Sequence, residues 1–120
     1  MLRGRIASFL GKINWKNRLY LQAQFYYREA LNDYSQCSDT LRMAYSLKEI
    51  GETYMANYQK DSAVFMYKQA LILAEAVREQ DVLIGIHNRL GYMYREMSDY
   101  DLAFFHLYRV LELSVCNPYV

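Results

Sequence analysis

Apolar residues recur along this chain at intervals of three and four, and short polar stretches interrupt the pattern at regular points. Such spacing marks amphipathic helices. It predicts six of them, over roughly 3–17, 20–36, 40–57, 60–78, 81–97 and 100–116, each about 22–28 Å long at 1.5 Å per residue. Ile6, Leu10 and Ile13, with the small Gly11, form the expected buried face of the first helix. Leu19, Ala23, Tyr27, Ala30 and Leu31 form that of the second, and Met43, Leu47, Ile50, Gly51 and Tyr54 that of the third. Asn17-Arg18 supplies the first turn and Tyr58 to Ser62 the third, while Ser38-Asp39 is an N-cap signal for the third helix. Asp81 opens the fifth helix, Ser98-Asp99 the sixth, and Pro118 follows the last, where a helix cannot continue.

The pattern is itself periodic. Leu90-Gly91 with Tyr94 and Ala103 falls on Ile50-Gly51 with Tyr54 and Ala63 when shifted by 40 residues, and on Leu10-Gly11 with Ala23 when shifted again. A large apolar residue comes four after each alanine (Tyr27, Tyr67, Leu107), and a modest one three later (Ala30, Ala70, Val110). Small residues at fixed points of two successive helices allow close helix packing, and the large ones between them fill the seam. Three copies at one period predict a repeat array. Ala23, Ala63 and Ala103 should each be buried within their own helix pair.

These Leu-Gly, Tyr, Ala, large-apolar and Ala positions resemble the tetratricopeptide repeat family across essentially the whole chain. The period of 40 exceeds the common one of about 34 and is similar to that of the longer-helix members found in peptide-sensing regulators and cargo-binding scaffolds. Asn14 stands where Tyr54 and Tyr94 stand, Lys60 replaces the aromatic of Tyr20 and Tyr100, and His87 takes a site often held by an aromatic. The resemblance implies an all-α fold, an α-α superhelix of three helix-turn-helix repeats at about 4–37, 44–77 and 84–117. Residues 1–120 then form a single domain or a piece of a longer array, with right-handed stacking.

The composition is 53% hydrophobic, enough for a core, and no apolar run approaches the ~20 residues of a membrane span. Neither a membrane span nor a signal-peptide pattern is read, which points to a cytoplasmic setting, although a removed export signal would leave the same sequence. Cys37 and Cys116 lie almost two periods apart, too far to bridge within one chain. The net charge of +1 hides an asymmetry: residues 1–28 carry six basic and no acidic side chains, and residues 29–120 eight basic and thirteen acidic. That basic end is either a solvated helix face or an attachment point for an anionic partner.

Candidate chemistry is sparse. His87 follows an apolar run and reads as a satisfied or partly buried histidine, and His106 belongs to the polar stripe of the sixth helix. Neither has the i, i+3 or i+4 partners of a metal site. No cofactor, metal or catalytic residue is assigned. The thirteen tyrosines would suit base stacking, but most fall at core positions and the near-neutral charge disfavours a phosphate-held ligand, so no nucleic-acid partner is expected.

In the family, the first helix of each pair lines a concave surface that receives a protein or peptide. Carried onto this chain, the groove residues are Arg5, Lys12, Trp15, Lys16, Lys48, Glu52, Asn88, Arg89, Tyr92 and Arg95, with Ser8, Phe9, Tyr45, Glu49, Met55 and Glu96 beside them. Lys12, Trp15, Lys48, Asn88, Arg89 and Tyr92 should share one concavity that favours acidic segments. The family's carboxylate clamp maps to Ser8, Lys12, Glu49, Gly85 and Arg89, of which only Arg89 fits, so that clamp is not expected. The reading is a non-enzymatic interaction module, or alternatively a self-association or connecting segment of a longer sensor. The sixth helix favours self-association. Its polar residues form one narrow stripe, and Phe104, Tyr108 and Leu111 are placed in a contact with a two-fold copy or with further repeats.

Overall fold

The computed structural model describes residues 2–115. Cys116 and Pro118 lie outside the described residues. Six helices follow one another: α1 Leu2–Lys16, α2 Tyr20–Gln36, α3 Thr40–Ala56, α4 Lys60–Val77, α5 Gln80–Glu96 and α6 Tyr100–Val115. They pack as antiparallel pairs, α1 with α2, α3 with α4 and α5 with α6. The pairs stack through α2 on α3 and α4 on α5. The result is an all-α superhelix of three helix-turn-helix repeats, 37 × 30 × 23 Å.

The repeat signature has a steric cause. At Gly11 and Gly51 the ring sixteen residues later presses against the helix backbone. A methyl group added to either glycine would lie 2.6 Å from Tyr27 or 2.9 Å from Tyr67. Leu107 stands at the same place over Gly91, at 2.9 Å. Ala23, Ala63 and Ala103 are all buried, as expected for seam positions. The main core gathers Ala63, Tyr67, Ala70, Ile86, Leu90 and Met93 from α4 and α5. A second cluster joins Ala23 and Tyr27 to Ile50 and Met66.

The turns repeat as faithfully as the helices. Arg18, Ser38, Tyr58, Arg78 and Ser98, spaced every twenty residues, all adopt the left-handed conformation, with φ between 54° and 63°. In four of the five turns two backbone bonds close the helix end. In the third, Tyr58 N donates to Met55 O at 3.0 Å and Gln59 N to Tyr54 O at 2.9 Å. This is the Schellman closure, which usually employs glycine; none of these five residues is one. Asp39 caps α3 by accepting from Arg42 N at 3.2 Å. The fifth helix begins one residue earlier than Asp81, behind Glu79, and α4 begins at Lys60, so the third turn is shorter than the sequence suggests.

Three sequence expectations are corrected. The face of α1 is not buried: Ile6, Leu10 and Ile13 are 49%, 38% and 55% exposed, and only Gly4 and Gly11 are covered. Among the described residues α1 makes its strong contacts with α2 alone, and its other side is open. Leu19 is likewise exposed, since it sits in the turn ahead of α2. His106 is not part of a solvated stripe but is buried against α5. Its Nδ1 lies 2.9 Å from Nδ1 of His87, so one ring donates and the other accepts.

Candidate functional site

The first helices of the three pairs, α1, α3 and α5, present a run of polar and charged side chains on one surface. A hollow of about 390 Å³ is lined by Ser8 and Lys12 of α1, by Tyr34, and by Arg42, Tyr45, Lys48, Glu49 and Glu52 of α3. Glu49 and Glu52 stand one turn apart and share this face. Lys12 Nζ lies 4.0 Å from Glu49 Oε2, a loose pairing, while Arg89 Nη2 grips Glu52 Oε2 at 2.9 Å. Burial pushes the Glu49 carboxyl up to about 7, with Glu52 adding to the rise and Lys12 and Lys48 opposing it. Burial thus favours the protonated form of this acid.

The cations are held over aromatic faces. Lys48 Nζ lies 5.7 Å from the Tyr45 ring centre and runs alongside Gly85, where an added methyl would lie 3.7 Å from it, an ordinary contact. Arg42 lies 5.9 Å from the Tyr34 ring and pairs with Asp39 at 3.1 Å. Arg95 lies over Tyr92 at 5.1 Å. Each such contact contributes about 0.5–1 kcal/mol at an exposed site and fixes a flexible side chain.

The structure distributes the expected groove residues unevenly. Lys12, Lys48 and Glu52 line the central hollow. Arg5 lines a smaller one beside it, of about 190 Å³, with Phe9 and Lys12. Arg89 and Tyr92 line a third, of about 330 Å³, with Met55 and Tyr58. The Glu52–Arg89 pair joins the central and third hollows. Trp15 packs edge-on to Tyr20 at 6.4 Å, and Trp15, Lys16, Asn88 and Arg95 line none of these three hollows. Sequence reasoning missed Tyr34 and Arg42. Tyr34 is on a second helix rather than a first one, and Arg42 was legible only as the residue bonded to the Asp39 cap. Of the clamp positions, Lys12 faces Glu49 and Arg89 is already engaged by Glu52.

Among the described residues, no three His, Cys, Asp or Glu side chains converge as metal ligands would, and no helix is long and apolar enough to cross a membrane. The histidine pair sits apart from the hollows, between α5 and α6. Tyr94 stacks on His106 with ring centres 5.5 Å apart and planes 8° from parallel. Burial lowers both imidazoles, that of His106 to about 4, where the neighbouring His87 and Lys68 contribute as well.

No family model and no curated protein matches the sequence. A solved structure does match, the crystal structure of BtubC (BKLC) from P. vanneervenii. It aligns with a TM-score of 0.86 over 94% of this chain at 22% identity. The fold is a helical-repeat superhelix. This chain spans 47% of the length of that neighbour, and at such identity the likeness concerns the fold alone.

Proposed function

We propose that the protein is a non-enzymatic interaction module of the tetratricopeptide type, cytoplasmic, which receives an acidic protein segment along the surface of α1, α3 and α5. The observation that supports this reading is the state of the charges around the central hollow. Glu52 is neutralised by Arg89, Glu49 is drawn toward its protonated form, and Lys12 is 57% exposed and only loosely paired. The rim therefore offers positive charge and aromatic faces, with little negative charge opposing an incoming carboxylate. Exposed cations of this kind bind weakly one by one and steer a partner collectively.

Fluorescence anisotropy with a labelled Glu-rich peptide and a Lys-rich peptide of equal length tests the reading. The Glu-rich peptide should bind saturably, weaken as salt is added, and lose about tenfold in affinity, roughly 1.4 kcal/mol, when Lys12 and Lys16 are both changed to Glu. Equal binding of the two peptides, or binding that survives the double reversal, overturns it. A second reading, self-association through α6, is favoured by Phe104, Tyr108 and Leu111, which all remain exposed.

A further inference from the structure

The two ends of the superhelix are halves of the same contact. Where pairs stack inside the molecule, Gln24 Nε2 of α2 donates to Thr53 Oγ1 of α3 at 3.1 Å, and Arg28 Nη2 donates to Tyr54 Oη at 2.8 Å. One period on, Val64 and Met93 share the core, and Lys68 lies over the Tyr94 ring at 5.9 Å. Another period on, the stacking positions of α6 are Phe104, Tyr108 and Leu111, at 59%, 59% and 58% exposure, and no other helix among the described residues covers them. Counting back from the other side of the contact, Ser46, Ile50 and Thr53 of α3 and Ile86, Leu90 and Met93 of α5 are all buried. Their counterparts on α1 are Ile6, Leu10 and Ile13, which are open.

The shape of the N-terminal face carries the same message. Between the first and second helix pairs, a hollow is lined by Met43, Leu47, Gln69, Ile72 and Leu73 of α3 and α4, with Arg28, Leu31, Asn32 and Ser35 of α2 seated over it. Shifted back by 40, those five floor residues become Arg3, Ala7, Glu29, Asn32 and Asp33. All five line a hollow of about 390 Å³ on the outer side of α1 and α2. The floor is present, and no helix among the described residues covers it. The residues of α6 that match the cover are Tyr108, Leu111 and Glu112.

Resting on the self-association reading above, we propose that a second copy of this chain occupies these faces head to tail, the α6 surface of one copy seated on the α1–α2 surface of the next. Phe104 then meets Ile13, Tyr108 meets Asn14, and Leu111 packs toward Leu10, with Glu112 brought over a floor that holds Arg3 beside Glu29 and Asp33. Charge selects this orientation over a two-fold one. Residues 1–40 carry six basic and three acidic side chains, and residues 81–120 three basic and five acidic, so unlike ends attract and like ends repel. A heterologous contact of this kind does not close on two copies, and it continues into a larger ring or an open array according to the rotation between copies.

Light scattering after size exclusion tests the proposal through two blocked variants, Phe104→Asp at the C-terminal face and Leu10→Asp at the N-terminal face. The wild type should show an average mass that climbs with concentration beyond a dimer. Each variant alone should be monomeric, and an equimolar mixture should give a one-to-one dimer, since the mixture restores one intact contact. If Leu10→Asp still forms a dimer while Phe104→Asp does not, the contact is two-fold: head-to-tail stacking is overturned and self-association through α6 stands. A wild type that is monomeric at every concentration overturns both. Circular dichroism confirms that each variant is folded. Tyr108→Arg and Ile13→Asp, both at exposed positions, replace either variant that is not.

Discussion

Glu49 and His106 impose opposite pH dependences on this fold, and replacing Glu49 by Gln should uncover the one that remains. The Glu49 carboxyl ionises at about 7 in the folded chain against an ordinary 4.5, because it is buried beside Glu52 and only loosely met by Lys12. The folded state thus holds its proton more tightly than the unfolded state does. Its contribution is complete below pH 4.5 and is lost as pH rises through 7, a difference of about 3 kcal/mol at 1.36 kcal/mol per pH unit. His106 runs the other way. Its imidazole falls from 6.5 to about 4, so the unfolded chain takes up the proton first, and stability is complete above 6.5 and lost toward 4, again by about 3 kcal/mol. Between these limits the Glu49 slope opposes that of His106, and His87, lowered by burial as well, adds to the histidine side. Urea denaturation at a series of pH values should show Glu49→Gln matching the wild type in acid and exceeding it by about 1–3 kcal/mol at neutral to mildly alkaline pH. The variant should also lose stability more steeply on acidification below 6.5, because the histidines then act unopposed. Releasing Lys12 costs little, since that side chain is mostly exposed. A constant difference between the two proteins at all pH values would refute the reasoning.

Three further outcomes follow from packing and backbone geometry. Gly51→Ala should destabilise by about 1–3 kcal/mol, since the added methyl meets the ring of the fully buried Tyr67; Gly91→Ala should be milder, because Leu107 is 39% exposed and can swing aside, and thermal denaturation of both will show the contrast. Ala63→Leu should cost about 1–3 kcal/mol by overpacking a completely buried seam, measured by chemical denaturation, and a neutral result would count against close pairing of α3 and α4. Tyr58→Gly should stabilise by roughly 0.5–1 kcal/mol, because relief of left-handed strain of about 1–2 kcal/mol outweighs the entropy glycine adds to the unfolded chain; a lower melting temperature in this variant would show that the Tyr58 ring makes contacts that matter despite its exposure.

Helix positions were legible because they rest on local rules. Apolar spacing set the six segments, and Asp39 behaved as the cap its position promised. The alanines were legible because only small residues fit where helices of a pair cross. The left-handed turns were not, because the usual marker is glycine and the chain uses Arg, Ser and Tyr instead. The histidine pair was hidden for a different reason. His87 and His106 occupy the places of Leu47 and Met66 one period earlier, an apolar contact between the helices of a pair. A polar pair at matched register was the available signal, and it appears only when the two helices are laid side by side. The groove residues were partly legible. Which helices face the surface follows from the repeat, but whether Trp15 turns to Tyr20 or Arg89 turns to Glu52 depends on side-chain partners that spacing does not encode.

Burial at the ends follows a rule that no single helix contains. Leu10, Ile50 and Leu90 hold the same register, precede the same glycine and belong to the same kind of amphipathic face, yet the last two are fully buried and the first is not. The difference lies in what stacks on them: α2 covers α3, α4 covers α5, and within the described residues no helix covers the outer side of α1. The same holds in reverse for Val64 and Phe104, one in the core and the other open. In a solenoid each repeat contributes half of two contacts, so its apolar surface is matched to a neighbour rather than to a common centre. End repeats that resist further stacking break the pattern with polar residues, as chains do when an exposed face must stay solvated. Here the pattern is not broken at either end. The positions that bury Ile86 and Leu90 are apolar again at Ile6 and Leu10, and those that hold Gln24 and Arg28 on α2 become Phe104 and Tyr108 on α6. The substitution from polar to aromatic at the last stacking face strengthens that face for contact instead of capping it.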